Sequence, residues 1–157
     1  MATPLSTLTA PVMWVARRIV RRLAPRFTIG VTAILFDDQG LVYVQRHRFW
    51  PRQAYGFPGG FLARNESCEE AARREVLEET GLRVTKLTLL GVDKSAPDHQ
   101  NVFFVGHIHS MEGFRIQKLE VLHGRFVDPA MLPEPFLRAH KSYFESHLST
   151  ILSIREA

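Results

Sequence analysis

Acidic residues are missing from the first 36 positions of this 157-residue chain, and cysteine occurs once, at Cys68. A lone cysteine excludes an internal disulfide and fits a reducing compartment. No apolar run reaches transmembrane length. Internal repeats, low-complexity tracts and linkers are also lacking. Hydrophobic residues at 45% and charged residues at 23% exclude a disordered tail, and the length suits one domain with a short arm. The formal net charge is +4, unevenly placed: residues 1–54 hold eight Arg against Asp37 and Asp38, a balance of +6, so the remainder carries −2.

The acid-free stretch divides the chain into an arm over residues 1–26 and a domain over 27–157. Val12, Val15, Ile19, Val20 and Leu23 recur at helical spacing, and Arg17, Arg18, Arg21 and Arg22 fall mostly on the other side. The pattern predicts a cationic amphipathic helix closed by Pro25. Its expected role is docking on its own domain or on a dimer partner, ahead of a membrane-surface helix or an organelle transit peptide.

Beyond the arm, Phe27–Phe36 predicts a buried strand, Asp37–Gly40 a turn, and Leu41–Gln45 a second strand completing a hairpin. A basic, aromatic loop follows, then a short extended piece at Tyr55–Phe57 that Pro58-Gly59-Gly60 breaks. Ser67 with Glu70 three residues on is a capping box, and Gly81 is a helix stop, so a helix is expected over Cys68–Thr80. Strands are expected at Val84–Val92, Val102–His109 and Val121–Val127, with a polar loop over Asp93–Asn101 and a terminal helix over Glu134–Ile154. Strands mixed with helices predict an α/β (α+β) fold, a mixed sheet covered by helices.

The chemistry concentrates in GFLARNESCEEAARREVLEETGL, residues 60–82. At 3.6 residues per turn, Glu75, Glu78 and Glu79 stand at i, i+3 and i+4, on the same side as the small residues Cys68, Ala71 and Ala72. Three like charges on a partly shielded face repel and raise one another's pKa values unless something positive offsets them. Arg74 is expected to serve one of them. A divalent cation would serve the set, and oxygen donors suit Mg²⁺ or Mn²⁺ better than Zn²⁺. Mg²⁺ held by a few carboxylates and a substrate phosphate points to pyrophosphate or phosphate-ester chemistry. The competing reading is a solvated acidic helix face.

The segment resembles the Nudix box of the Nudix hydrolase family, G-x5-E-x7-R-E-U-x-E-E-x-G-U with U a bulky aliphatic residue. Gly60, Glu66, Arg74-Glu75-Val76, Glu78-Glu79 and Gly81-Leu82 match every defined position without insertion. The resemblance implies an α/β/α sandwich around a mixed sheet, in which Glu75, Glu78, Glu79 and the Gly60 carbonyl match metal ligands. It implies that Arg74 orients the box glutamates and that Glu66 is an auxiliary acid. The implied reaction is attack of metal-activated water on the pyrophosphate of a nucleoside diphosphate linked to another moiety (ADP-ribose or a sugar nucleotide), or of a (d)NTP. The implied general base is Glu75, with Glu120 as the candidate outside the box. The rival reading is a catalytically silent nucleotide sensor.

For substrate contacts, Arg46, Arg48 and Arg52 could meet phosphates, and Trp50 and Phe57, with Phe49 and Tyr55, could stack a base. His107 and His109 would share one strand face as a possible metal pair. Cys68 reads as a small buried residue. A small-molecule nucleotide is the expected partner, without specific nucleic-acid binding, and the expected compartment is the cytoplasm; a homodimer is left open.

Overall fold

The computed structural model describes residues 6–155, with side chains from Met13 onward. Residues 1–5 and 156–157, and the side chain of Val12, lie outside the described set. The arm is a helix, α1 (Ser6–Leu23). Its described side chains do not dock on the domain: Met13, Trp14, Val15, Ile19, Val20 and Leu23 are all between 49% and 79% exposed.

Seven strands form one mixed sheet: β1 (Thr28–Asp37), β2 (Val42–His47), β3 (Tyr55–Gly56), β4 (Gly59–Phe61), β5 (Leu87–Ala96), β6 (His99–Ile108) and β7 (Val121–Val127). The order β3-β2-β1-β6-β5 carries β4 on β1 and β7 on β2. Only β1 and β6 run parallel; the other pairs are antiparallel. β1 alternates strictly. Val31, Ala33 and Leu35 point into one core with Ala71, Ala72 and Val76 of helix α2 (Cys68–Thr80). Ile34 and Phe36 point into a second core with Phe144 of α3 (Arg138–Ser146) and Ile151 of α4 (Leu148–Arg155). A period of two therefore supplies both faces of an α/β/α sandwich.

The hairpin turn is held by Asp37, whose Oδ1 accepts from the Gln39 and Leu41 N–H groups at 3.0 and 2.8 Å. β1 and β2 then part after the Phe36–Val42 pair, and β4 takes the vacated edge of β1. The extended piece does end before Pro58, as expected, but Gly59-Gly60 open a new strand that pairs with Val31 and Thr32. Three further expectations need correction. The polar stretch Asp93–Asn101 is mostly ladder, because antiparallel pairing carries β5 and β6 through Asp93–Asn101 and Lys94–Gln100 to a turn at Pro97-Asp98. The terminal helix starts at Arg138 instead of near Glu134. It also divides at His147, whose N–H bonds back to the Tyr143 and Phe144 carbonyls.

Candidate active site

Helix α2 presents the acidic residues. Ser67 and Glu70 form the capping box in both directions, with the Ser67 N–H donating to Glu70 Oε2 at 2.7 Å. Gly81 ends the helix at φ 71°, and a Cβ there would stand 2.3 Å from the Gly113 carbonyl, so both conformation and space require glycine.

The helix does not deliver its three glutamates to one point. Glu79 is 3% exposed and reaches under the sheet, where its Oε2 accepts from the Gly59 N–H at 2.9 Å. Glu75 is partly shielded, and Glu78 stands at the rim with its side chain 57% exposed. Arg74 does more than serve one carboxylate. Its guanidinium bonds Glu66 at 2.9 and 3.1 Å, Glu75 at 2.8 Å, Glu78 at 3.3 Å and the Phe61 carbonyl at 3.1 Å. Glu66 also accepts from the Ala63 N–H at 2.6 Å, which ties the loop before the helix to the same clamp.

Glu79 is left outside the clamp. Among the described residues it has no ion pair with lysine or arginine, only His47 Nε2 at 3.8 Å. Burial pushes its carboxyl up to about 8, and the charges of Glu75 and Glu120 act in the same direction. Burial also raises Glu75. The Gly59 N–H and the fully buried Gln45 amide beside it act the other way and offset part of the rise.

Two further residues meet Glu79. His47, at the end of β2, is buried, and its Nε2 lies 3.6 Å from Glu120 Oε2. Glu120 sits immediately before β7. Ligand atoms of His47, Glu79 and Glu120 lie within 4.8 Å of one another. Sequence reasoning missed His47, although β2 carried a signal: Tyr43, Gln45 and His47 alternate with Val42 and Val44, placing two polar side chains on an inward face. The His47 ring stacks on Trp50 at 4.9 Å, and the Phe49 N–H meets its Nδ1 at 3.3 Å.

A divalent cation fits these residues. A buried carboxylate without a lysine or arginine partner among the described residues, and a second acid 3.6 Å from the intervening imidazole, make a polar, negatively charged enclosure. Gly60 leaves room for Glu75 here: a Cβ on Gly60 would stand 2.3 Å from Glu75 Oε1. Gly60→Ala should therefore push Glu75 aside and raise the Mg²⁺ concentration needed for half-maximal activity about tenfold or more, read by metal titration. An unchanged metal requirement would show that Glu75 does not need its present place.

The proposed substrate contacts separate. Trp50 is half-buried; its ring meets His140 edge-on at 5.5 Å and lines a cleft beside Gly59-Gly60. Phe57 is wholly buried against Phe136, Phe144 and His140, so it is a core residue and cannot stack a substrate. Arg46 donates to the Gln53 carbonyl, and Arg48 to the Leu119 and Lys118 carbonyls, which ties both to loops. Arg52 is exposed in the 3-10 turn Pro51–Gln53, with φ 56°. His107 lies on β6 and His109 one residue past its end; their rings stack at 5.7 Å, but they bond different partners, the Arg155 carbonyl and Asp38. Cys68 is a free thiol, partly buried against the α2 core.

The cleft beside Gly60 is lined by Thr32, Trp50, Phe61, His99 and Asn101. Its floor is a hydrogen-bond relay. The Phe57 N–H donates to His140 Nδ1, which places the ring proton on Nε2, facing Thr32 Oγ1 at 3.2 Å. Burial holds His140 neutral, its pKa lowered to about 3. Asn101 Nδ2 donates to the same Thr32 oxygen at 2.8 Å.

This sandwich, with a capped acidic helix packed against the glycine strand β4, is the NUDIX arrangement. The model of the NUDIX domain matches residues 26–146, and the chain belongs to that family. It is 43% identical over 68 residues to an RNA pyrophosphohydrolase of Caulobacter vibrioides, covering 43% of this chain and 38% of that protein. It is 37% identical over 70 residues to an ADP-ribose pyrophosphatase of Methanocaldococcus jannaschii, covering 45% and 41%. The matched segments thus span about two fifths of these relatives' length. Among solved structures, a MutT NUDIX hydrolase of Burkholderia pseudomallei superposes with a TM-score of 0.64 at 25% identity, covering 76% of this chain and 97% of that one.

Proposed function

We propose that the protein hydrolyses a pyrophosphate bond in a nucleoside diphosphate linked to a second moiety, or in a nucleoside triphosphate, with Mg²⁺ or Mn²⁺ as cofactor. The observation that carries this reading is Glu79: a carboxylate buried to 3% exposure with no lysine or arginine to balance it, facing His47 and Glu120. Such a charge is stable in a folded core only when neutralised. A divalent ion bound there would neutralise that charge, and the chemistry it would supply is polarisation of the substrate's phosphate and a lower pKa for the attacking water.

The chain's own residues divide the remaining work. Glu79, Glu75 and the Gly60 carbonyl would hold the cation, with Glu78 at the rim. Arg74 and Glu66 hold Glu75 and the glycine strand in register. Glu120 takes the proton of the attacking water. It is supported by its position at the mouth of the cluster and by lying outside the Arg74 clamp, which engages Glu75. Trp50 and Phe61 offer aromatic surface to a base in the neighbouring cleft. Arg52 is the loop arginine with its side chain exposed to meet a distal phosphate.

Glu120→Gln should lower kcat by about a hundredfold or more while changing Mn²⁺ affinity far less, because it removes a proton acceptor from the edge of the site. Equal losses in both would make Glu120 a ligand instead of a base. The function itself is tested by offering ADP-ribose, sugar nucleotides, nucleoside triphosphates and triphosphate-ended RNA with Mg²⁺ in ¹⁸O-water. The expected result is Mg²⁺-dependent release of phosphate-containing products with label at one phosphorus. Nucleotide binding without turnover on any of them would favour the sensor reading.

A further inference from the structure

Helix α1 is the largest feature that this function leaves unused. We propose that it docks the protein on an anionic lipid bilayer, lying in the plane of the headgroups. At 100° per residue, Val15, Ala16, Ile19, Val20 and Leu23 occupy an arc of about 140°, and Arg17, Arg18, Arg21 and Arg22 fill an opposite arc of about 140°. The apolar arc faces solvent, with Ile19 at 52%, Val20 at 64% and Leu23 at 79% exposure. Such a stripe needs an apolar neighbour, and the domain does not supply one.

Charge selects that neighbour. The first 36 residues contain no acid, so two copies of the arm packed through their apolar arcs would flank the seam with Arg22 and Arg17, at the edges of those arcs, and no interhelical ion pair would offset them. A bilayer carrying anionic headgroups satisfies both arcs together: the acyl boundary receives the aliphatic side chains, and the long arginine stems let the guanidinium groups reach the phosphates. Trp14 stands on the arginine side, with Arg18 over its ring at 5.3 Å, the kind of amphipathic aromatic that settles at headgroup level. No described helix is long and apolar enough to cross a membrane, so the contact is with the surface.

The test is flotation of the full chain with lipid vesicles. Phosphatidylcholine vesicles with about one third phosphatidylserine should bind it about tenfold or more tightly than pure phosphatidylcholine, and the difference should shrink as salt is raised. Replacing Arg17, Arg18, Arg21 and Arg22 together with Gln should abolish the preference for anionic lipid. Ile19→Asp with Leu23→Asp should abolish binding to either vesicle. Both variants should hydrolyse soluble substrate as the parent does, since the arm lies outside the site. Three results would overturn the proposal: no vesicle binding by the parent chain at low salt; binding that survives Ile19→Asp with Leu23→Asp, which marks mere polyanion attraction; or a dimer by light scattering that the same pair of changes dissolves.

Discussion

Glu79→Gln should reduce kcat about a thousandfold or more, ~4 kcal/mol of transition-state stabilisation, and should at the same time stabilise the metal-free protein at alkaline pH. The two effects share one cause. Burial raises the folded-state pKa of Glu79 to about 8, against an ordinary value of 4.5. Between those values the folded chain retains a proton that the unfolded chain has released. Stability due to this group is therefore highest below pH 4.5, falls as pH rises toward 8, and is flat above. At ~1.4 kcal/mol per pKa unit the loss is on the order of 5 kcal/mol. Thermal melts in EDTA between pH 5 and pH 8.5 should show the parent losing several degrees relative to Glu79→Gln. Adding Mg²⁺ should close the gap for the parent and leave the variant unmoved. Parallel pH profiles for the two proteins would mean that Glu79 is not a destabilising buried charge, and the reason for a cation would go with it.

The second large effect belongs to Arg74. Arg74→Ala removes the one cation shared by Glu66, Glu75 and Glu78 and leaves the Phe61 carbonyl without its donor. The guanidinium side chain is 32% exposed, so solvent screens part of the interaction, and the expected loss of stability is ~2 kcal/mol, with a fall in Tm of about 5 °C. Activity should fall further than stability at assay temperature, because Glu75 loses the partner that holds it beside Gly60. Arg74→Lys keeps the charge but offers a point donor where a planar fork meets four groups, so it should restore stability only in part and activity less. Full activity in Arg74→Lys would show that charge alone suffices and that the fork geometry is incidental.

The acidic helix was legible in the sequence to the residue. Ser67, Glu70 and Gly81 act within one or two turns of their own positions, so local chemistry sets both ends of α2. What lay beyond reach depends on distant partners. Asp93, Lys94 and Asn101 are polar, and nothing local says that they continue a ladder; the β5–β6 pairing does that. A helical projection groups Glu75, Glu78 and Glu79 but cannot say that the sheet covers Glu79 and leaves Glu78 at the rim. Phe57 lies in the same aromatic stretch as Trp50, yet Phe136, Phe144 and His140 enclose the first, while the second meets only the edge of α3 at His140 and stays half-buried. His47 is 73 residues from Glu120 in the chain, and only the β2–β7 ladder brings them together. The arm is the reverse case: its amphipathic pattern was plain, and the docking expected of it on its own domain is absent.

The most direct measurement is a crystal structure with Mn²⁺, read by anomalous scattering at the manganese edge. The ion is expected against Glu79 and Glu75 with the Gly60 carbonyl, within reach of His47 and Glu120, and the peak should vanish in Glu79→Gln. Manganese found only at surface sites, with the Glu79 carboxyl still in contact with the Gly59 N–H and no ion near it, would contradict the account.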